Sequence, residues 1–158
     1  MVSDNPNNKV AIIMGSSSDK EIMQACADYL DYFEVVHEMH VMSAHRDPDK
    51  VIQFTENAER NGFSIMIAGA GMAAHLPGVI ASRTTLPVIG VPLAGSALGG
   101  QDALYSIVQM PAGIPVATVA IGKAGARNAA ILAVEILALN DPTLKERLTA
   151  FRKAGSKI

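Results

Sequence analysis

Five short apolar runs, separated by segments long enough for a helix, constrain the fold of this chain most. The runs are Val10–Met14, part of Phe33–Met42, Ser64–Ala68, Val88–Val91 and Val116–Ile121. Because they are apolar on both faces, they predict strands of a parallel sheet that is covered on both sides. Alternation of strand and helix implies right-handed βαβ units. The sequence therefore predicts an α/β three-layer sandwich, with ligands at the carboxyl ends of the strands.

The segments between the strands carry apolar residues at helical spacing. They are Asp19–Tyr32, Pro48–Asn61, Ala73–Ser82, Asp102–Gln109 and Ala124–Leu139. Asp47 and Pro48 predict a capped helix start, and so do Asp141 and Pro142. The second pair begins a C-terminal amphipathic helix over residues 141–153. This helix packs either on its own domain or on a neighbouring subunit, and the sequence leaves both open.

The length of 158 residues suits one hydrophobic core, so we expect a single domain over residues 1–158, with a polar N-terminal segment at 1–8. That segment lacks the apolar run of a signal peptide, and the lone Cys26 cannot form an internal disulfide. We therefore expect a cytoplasmic protein. Hydrophobic residues make up 49% of the chain, and Ala124–Leu139 is apolar nearly all round. These features predict a homo-oligomer.

Charge and composition argue against nucleic acid, membrane and metal partners. The net charge is −2 without blocks of either sign, and aromatic residues are only 4%, so no stacking platform for bases is expected. The uncharged stretches on either side of Asp102 are interrupted by proline and glycine, which argues against membrane spans. His37 and His40 have no acid or cysteine at zinc-ligand spacing, so no metal is expected.

The first of three loops at strand ends is the run Gly15-Ser16-Ser17-Ser18-Asp19. Hydroxyls and free N–H groups before a helix form an anion site, and the helix dipole favours phosphate there. The run lacks the lysine of a P-loop and the further glycines of a dinucleotide fingerprint. Two interpretations remain open: a phosphate site, or a simple cap in which Ser18 or Asp19 begins the helix.

The second loop is Ser43-Ala44-His45-Arg46-Asp47-Pro48. Arg46 can make two parallel hydrogen bonds to a phosphate, and His45 can exchange a proton near neutral pH. Asp47 is more simply a helix cap. Because this loop and the serine loop leave the same edge of the predicted sheet, a functional role for His45 is favoured over a structural one.

The third loop contains Gly69-Ala70-Gly71-Met72-Ala73-Ala74, a match to the pattern G-x-G-x-x-A. Dinucleotide binding is not expected, since no acid lies near Val88–Ala94 and the pattern does not follow the first strand. Small residues here instead allow a flat ligand to approach the backbone. For His75, a ligand contact and a structural role remain equally open.

Together with Tyr105-Ser106-Ile107-Val108-Gln109-Met110-Pro111, these loops closely resemble the PurE family of purine biosynthesis, in order and spacing over about residues 9–153. The chain is most similar to the class that converts N5-carboxyaminoimidazole ribonucleotide to 4-carboxy-5-aminoimidazole ribonucleotide. In the sister class, which carboxylates aminoimidazole ribonucleotide with carbon dioxide, a lysine typically follows the loop histidine, where this chain has Arg46. The resemblance implies a flavodoxin-like (Rossmann-like) domain, no metal or organic cofactor, and a homo-octamer with sites between subunits.

The resemblance also implies a role for each matching residue. Ser16, Ser18 and Arg46 would hold the 5′-phosphate of a ribonucleotide, and Asp19 would hold its ribose hydroxyls. His45 would act as the acid and then as the base. The residues that would surround the imidazole ring and the migrating carboxylate are Ser43, Ala44, Gly71, His75 and Leu76.

Three other functions stay open. One is the direct carboxylase of the same family. Another is a signalling receiver, which needs acidic residues where this chain has Gly15-Ser16 and Gly69-Ala70-Gly71. The third is a non-catalytic, flavodoxin-like module that binds a nucleotide without converting it.

Overall fold

The computed structural model describes residues 8–158, so the predicted polar segment 1–8 lies, apart from Asn8, outside the described residues. The strands are β1 (Lys9–Met14), β2 (His37–Val41), β3 (Phe63–Gly71), β4 (Val88–Leu93) and β5 (Ala117–Thr118). The helices are α1 (Lys20–Tyr32), α2 (Pro48–Asn57), α3 (Leu76–Ala81), α4 (Gln101–Val108), α5 (Lys123–Leu137) and α6 (Pro142–Lys153). Strand and helix alternate as the sequence predicts.

The five strands form one parallel sheet in the order β2-β1-β3-β4-β5. This is the flavodoxin-like order, in which the chain changes direction across the sheet between β1 and β3. Met14, at the end of β1, pairs with Val41 on one side and Gly69 on the other. The loops that follow β1, β2 and β3 therefore leave the sheet side by side. The predicted α/β sandwich is confirmed.

Apolar layers cover both faces of the sheet, which explains why the strands lack an alternating pattern. Val10, Ile12 and Met14 point into a core shared with α1, α5 and α6. Ala11 and Ile13, the intervening residues, point into a second core with side chains from α2, α3 and α4. The central strands β1, β3 and β4 thus bury both of their faces, as parallel strands do, whereas the edge strands β2 and β5 are only partly buried.

The strand β5 is shorter than the predicted run Val116–Ile121, with only two residues paired to β4. After it, Gly122 donates its N–H to the carbonyl of Pro92 at 2.8 Å, so the chain follows β4 without regular pairing. At Gly125, near the start of α5, a Cβ atom would lie 1.6 Å from the carbonyl oxygen of Ala120. Only glycine fits at position 125. The helix therefore approaches the segment after β5 closely, at the point where the strand ends early.

The C-terminal helix α6 packs on its own chain, which decides between the two alternatives left open above. Phe151 is 2% exposed and lies with its ring centroid 6.2 Å from Tyr29, 5.7 Å from Tyr32 and 5.2 Å from Phe33. Arg147 donates to the Phe33 carbonyl at 2.7 Å. Since α5 lies between α1, α6 and the sheet, much of the apolar surface that predicted a subunit interface on α5 is buried within the chain.

Asp141 caps α6 as predicted. Its Oδ1 accepts hydrogen bonds from the backbone N–H groups of Thr143 at 3.0 Å and Leu144 at 3.1 Å, and its Oδ2 accepts one from Asn8 at 2.8 Å.

Replacing this cap should destabilise the protein measurably. We expect Asp141→Ala to lower the free energy of unfolding by about 1–2 kcal/mol, because a buried cap is lost and two N–H groups are left unpaired. Asp141→Asn keeps the capping oxygen and should lose less. Denaturant unfolding of both variants measures this difference, and equal losses would contradict a capping role.

Outside the loops, the described residues show one buried thiol. Cys26 is fully buried, and burial raises the pKa of its thiol far above the usual value, so it is an inert core thiol. Within residues 8–158, no helix is long and apolar enough to cross a membrane. In the same range, no three His, Cys, Asp or Glu side chains are grouped closely enough to hold a metal ion.

Candidate active site

A cavity of about 480 Å³ opens at the carboxyl edge of the sheet, between the loops that follow β1, β2, β3 and β4. This volume is in the range of small-ligand sites. All the predicted site residues line it, and they are Ser16, Ser18, Asp19, Ser43, Ala44, His45, Arg46, Gly71, His75 and Leu76. The parallel topology thus brings three segments that are distant in sequence around one space.

The serine loop forms one wall of this cavity. Ser16 has an extended backbone, and its hydroxyl oxygen accepts hydrogen bonds from the N–H of Ser18 at 3.3 Å and from the hydroxyl of Ser18 at 2.9 Å. A single 3-10 turn, Ser17–Asp19, then leads into α1. The turn moves the start of α1 to Lys20, so Asp19 occupies the cap position of α1, but its side chain makes no hydrogen bond to the helix. The prediction that Ser18 or Asp19 caps the helix is therefore correct in position for Asp19 and wrong in the bond. Ser16 caps the 3-10 turn that precedes α1.

Asp19 lies on the same wall, partly buried. Burial raises the pKa of its carboxyl above the usual value, and a hydrogen bond from the backbone of Ser16 offsets part of this increase. Burial removes water from around this carboxylate, and a ligand hydroxyl that donates a hydrogen bond to it would replace part of that water. The arrangement suits a neutral, hydroxyl-bearing part of a ligand better than an anionic one.

The second loop is held in shape by Ser43, which is 8% exposed. Its hydroxyl oxygen accepts the N–H groups of His45 at 3.3 Å and Arg46 at 3.2 Å. The guanidinium of Arg46 donates to the carbonyl of Gly15 at 3.1 Å, which ties this loop to the serine loop. A cation therefore lies beside the serine hydroxyls, as a phosphate site requires.

Asp47 occupies the cap position of α2 but makes no side-chain hydrogen bond to the helix. Its carboxylate instead accepts the backbone N–H of Ser43 at 3.4 Å. The prediction that Asp47 caps the helix is thus correct in position and wrong in the bond it makes. The carboxylate faces back into the loop, since the backbone N–H of Asp47 donates to the Ser43 carbonyl at 2.8 Å and closes a turn there.

His45 and His75 meet across the cavity. Nε2 of His45 lies 2.6 Å from Nδ1 of His75, and the two rings are nearly perpendicular at 88°. Both side chains are exposed in the free protein. His75 therefore faces the site, and its direct neighbour there is the imidazole predicted to move the proton.

The third loop has a strained backbone. Met72 and Ala74 have positive φ angles of 55° and 40°, which residues with a side chain rarely adopt. α3 consequently begins at Leu76 rather than at the predicted Ala73. Because β3 runs on to Gly71, the glycines of the G-x-G-x-x-A match lie in the strand and do not form the turn of a dinucleotide site.

Six lining residues had no individual role predicted from the sequence, and they are Gly15, Ala70, Met72, Ala73, Ala74 and Gly95. The first five lie within the first and third predicted loops, whereas Gly95 lies outside them. Gly95 could have been found, because it follows the carboxyl end of β4 in a run of small residues. Residues 99–102 and 109–111 do not line the cavity.

The sequence of this chain is similar to those of known proteins over nearly its whole length. A family model described as AIR carboxylase matches residues 9–157. The chain belongs to the AIR carboxylase family. The chain is 57% identical over 154 residues to the N5-carboxyaminoimidazole ribonucleotide mutase of Escherichia coli strain K12, covering 98% of this chain and 91% of that protein. The resemblance drawn from the loop motifs is confirmed.

Other members of the AIR carboxylase family give the same result. The mutase of Bacillus subtilis is 54% identical over 144 residues, covering 91% of this chain and 89% of that protein. The mutase of Pyrococcus abyssi is 55% identical over 145 residues, covering 92% of this chain and 82% of that protein. A crystal structure of Treponema denticola PurE superposes with a TM-score of 0.84 at 27% identity, covering 94% of this chain and 91% of that one.

Proposed function

We propose that this member of the AIR carboxylase family converts N5-carboxyaminoimidazole ribonucleotide into 4-carboxy-5-aminoimidazole ribonucleotide, a step of purine biosynthesis. The observation that carries the proposal is the meeting of His45, Arg46 and the Ser16–Ser18 turn at one cavity. Relatives at 54–57% identity bear the mutase name, which supports the same assignment.

The phosphate of the nucleotide would bind where the serine loop meets Arg46. Ser16 and Ser18 supply hydroxyls, and the guanidinium of Arg46 is already held within 3.1 Å of the Gly15 carbonyl. Asp19, whose carboxyl is partly desolvated, would accept hydrogen bonds from the ribose hydroxyls. The base of the nucleotide would then lie beside the second and third loops, which line the rest of the cavity.

The base and the migrating carboxylate would lie among small residues and the two histidines. Gly71 lines the cavity without a side chain, and a Cβ atom there would lie 3.3 Å from the carbonyl oxygen of Leu93, so a larger residue would press against β4. Leu76 is 3% exposed and supplies an apolar wall. Ser43 and Ala44, the two residues before His45, line the same cavity.

The reaction needs one proton, moved twice. As an imidazolium, His45 gives its proton to the carbamate nitrogen while the bond from that nitrogen to the carboxyl carbon breaks and carbon dioxide leaves. C4 of the resulting aminoimidazole then attacks carbon dioxide and forms the new carbon–carbon bond. Neutral His45 takes the proton from C4, which restores the aromatic ring and the imidazolium. No redox or phosphoryl-transfer step is required.

Rate acceleration would come from two sources. Acid–base assistance by a placed histidine is worth about 10²–10⁴-fold. The remainder would come from holding carbon dioxide against C4 inside the cavity, because this makes a bimolecular reaction effectively unimolecular.

An assay with two substrates tests the proposal. The purified protein is expected to convert the N-carboxylated ribonucleotide rapidly, and to act on aminoimidazole ribonucleotide plus bicarbonate much more slowly. The reverse preference would identify the direct carboxylase instead. Binding of the ribonucleotide without conversion of either substrate would identify a non-catalytic module.

We also propose that the chain acts as a single domain in the cytoplasm and assembles as a homo-octamer with sites completed between subunits. Large apolar side chains on and around the cavity side support assembly: Met72 is 66% exposed, Leu98 64% and Tyr105 63%. Sedimentation at micromolar concentration is expected to give a single species of eight chains. A monomer would contradict the proposal.

A further inference from the structure

We propose that His75 is a positioning residue for His45, accepting a hydrogen bond from Nε2–H of His45 so that Nδ1 of His45 carries the proton that moves in the reaction. The inference rests on the function proposed above and deepens it. Its basis is the contact of 2.6 Å between Nε2 of His45 and Nδ1 of His75.

Only one hydrogen atom fits between two nitrogens at this distance. A neutral imidazole has one N–H and one bare nitrogen, so each ring is a donor at one nitrogen and an acceptor at the other. Two arrangements follow. Either both rings carry hydrogen on Nε2 and His45 donates to His75, or both carry it on Nδ1 and His75 donates to His45.

The acid form of His45 selects the first arrangement. An imidazolium carries hydrogen on both nitrogens, so His45 can then only donate through Nε2. If His75 accepts at Nδ1, the hydrogen bond persists through both halves of the reaction and is strengthened by charge when His45 is protonated. In the second arrangement, each protonation of His45 would break the bond and require His75 to change its tautomer.

The surroundings of the pair leave Nδ1 of His45 available. No hydrogen-bond partner for that atom exists among residues 8–158. The loop backbone fixes His45 independently, because its N–H donates to the hydroxyl oxygen of Ser43 at 3.3 Å. The other ionisable side chains that line the cavity, Asp19 and Arg46, are engaged with Ser16 and Gly15. His75 is therefore the group that orients the ring, as the second member of an acid–base pair does.

Two substitutions at His75 distinguish its hydrogen bond to the His45 ring from the space that its side chain fills. His75→Asn places an amide oxygen near the position of Nδ1 and can still accept, whereas His75→Leu cannot. We expect His75→Leu to lower turnover by roughly 10-fold with little change in KM, since one hydrogen bond to a charged group is lost. His75→Asn should recover most of that loss. Equal losses in both variants, or a loss confined to KM, would overturn the proposal.

A second measurement needs no nucleotide. In the free protein, long-range proton–nitrogen correlations from the ring hydrogens of 15N-labelled histidine report which nitrogen carries hydrogen. We expect Nε2–H on His45 in the wild type and in His75→Asn, and a mixture of tautomers in His75→Leu. Nδ1–H on His45 in the wild type would overturn the pairing. Because this spectrum is independent of turnover, it distinguishes failure of the pairing from failure of the proposed reaction.

Discussion

Replacing His45 with asparagine is expected to lower turnover by about 10²–10⁴-fold, the usual contribution of a placed acid–base group. Asparagine occupies similar space and can form hydrogen bonds, but it cannot gain and lose a proton. His45 is exposed and its backbone is held by Ser43, so the fold should not change. Nucleotide affinity, measured by calorimetry on the same variant, should remain close to that of the wild type.

The same substitution at His40 provides a matched control. His40 lies on β2, with its ring tilted by 52° against that of Phe54, and does not line the cavity, so His40→Asn should leave turnover unchanged. Conversion by His45→Asn at nearly the wild-type rate would rule out the proton shuttle.

Replacing Arg46 with alanine is expected to weaken binding of the phosphorylated nucleotide by about 100-fold or more. Two charge-assisted hydrogen bonds to phosphate would be lost, each worth about 1.5–3 kcal/mol. Binding of the dephosphorylated nucleoside should change much less, because it lacks the group that Arg46 contacts. Calorimetric titration with both ligands measures the difference. Arg46→Lys keeps the positive charge but lacks the planar guanidinium that forms two parallel hydrogen bonds. Its affinity for the phosphorylated nucleotide should lie between that of the wild type and that of Arg46→Ala.

Arg83 offers the control for this experiment. It pairs with Glu56 at 3.6 Å and does not line the cavity, so Arg83→Ala should bind both ligands as the wild type does. If Arg46→Ala weakens binding of nucleotide and nucleoside equally, Arg46 does not bind phosphate. Its hydrogen bond to Gly15 would then be its main role.

The arrangement of the site followed from the sequence because parallel strands place their carboxyl ends at one edge. Runs that are apolar on both faces predicted such a sheet, and each polar loop began where a run ended. The convergence of residues near positions 16, 45 and 75 could thus be predicted without coordinates. The family resemblance supplied the role of each residue.

Local hydrogen bonds could not be predicted in the same way. Ser18, Asp19 and Asp47 were all reasonable caps by residue type. Asp19 and Asp47 do occupy the cap positions of α1 and α2, but neither side chain bonds to its helix. Ser16 caps the 3-10 turn instead, and Asp47 bonds to its own loop. Several hydroxyls and carboxylates compete for the same N–H groups there, and loop geometry decides between them.

Contacts between separate segments determine two features that composition and periodicity do not encode. The early end of β5 coincides with the close approach of Gly125 to Ala120, a contact between chain segments that periodicity does not encode. The apolar surface of α5 indicated a subunit interface, yet α1 and α6 cover much of it. Amphipathicity reveals that a face is buried, and it does not identify the element that buries it.

A crystal structure of the assembled protein with 4-carboxy-5-aminoimidazole ribonucleotide bound tests the central claim most directly. We expect the phosphate within hydrogen-bond distance of Ser16, Ser18 and Arg46, and the ring carboxylate beside His45. A nucleotide bound with its phosphate away from the serine turn, or with its ring remote from every copy of His45 in the assembly, would contradict the account.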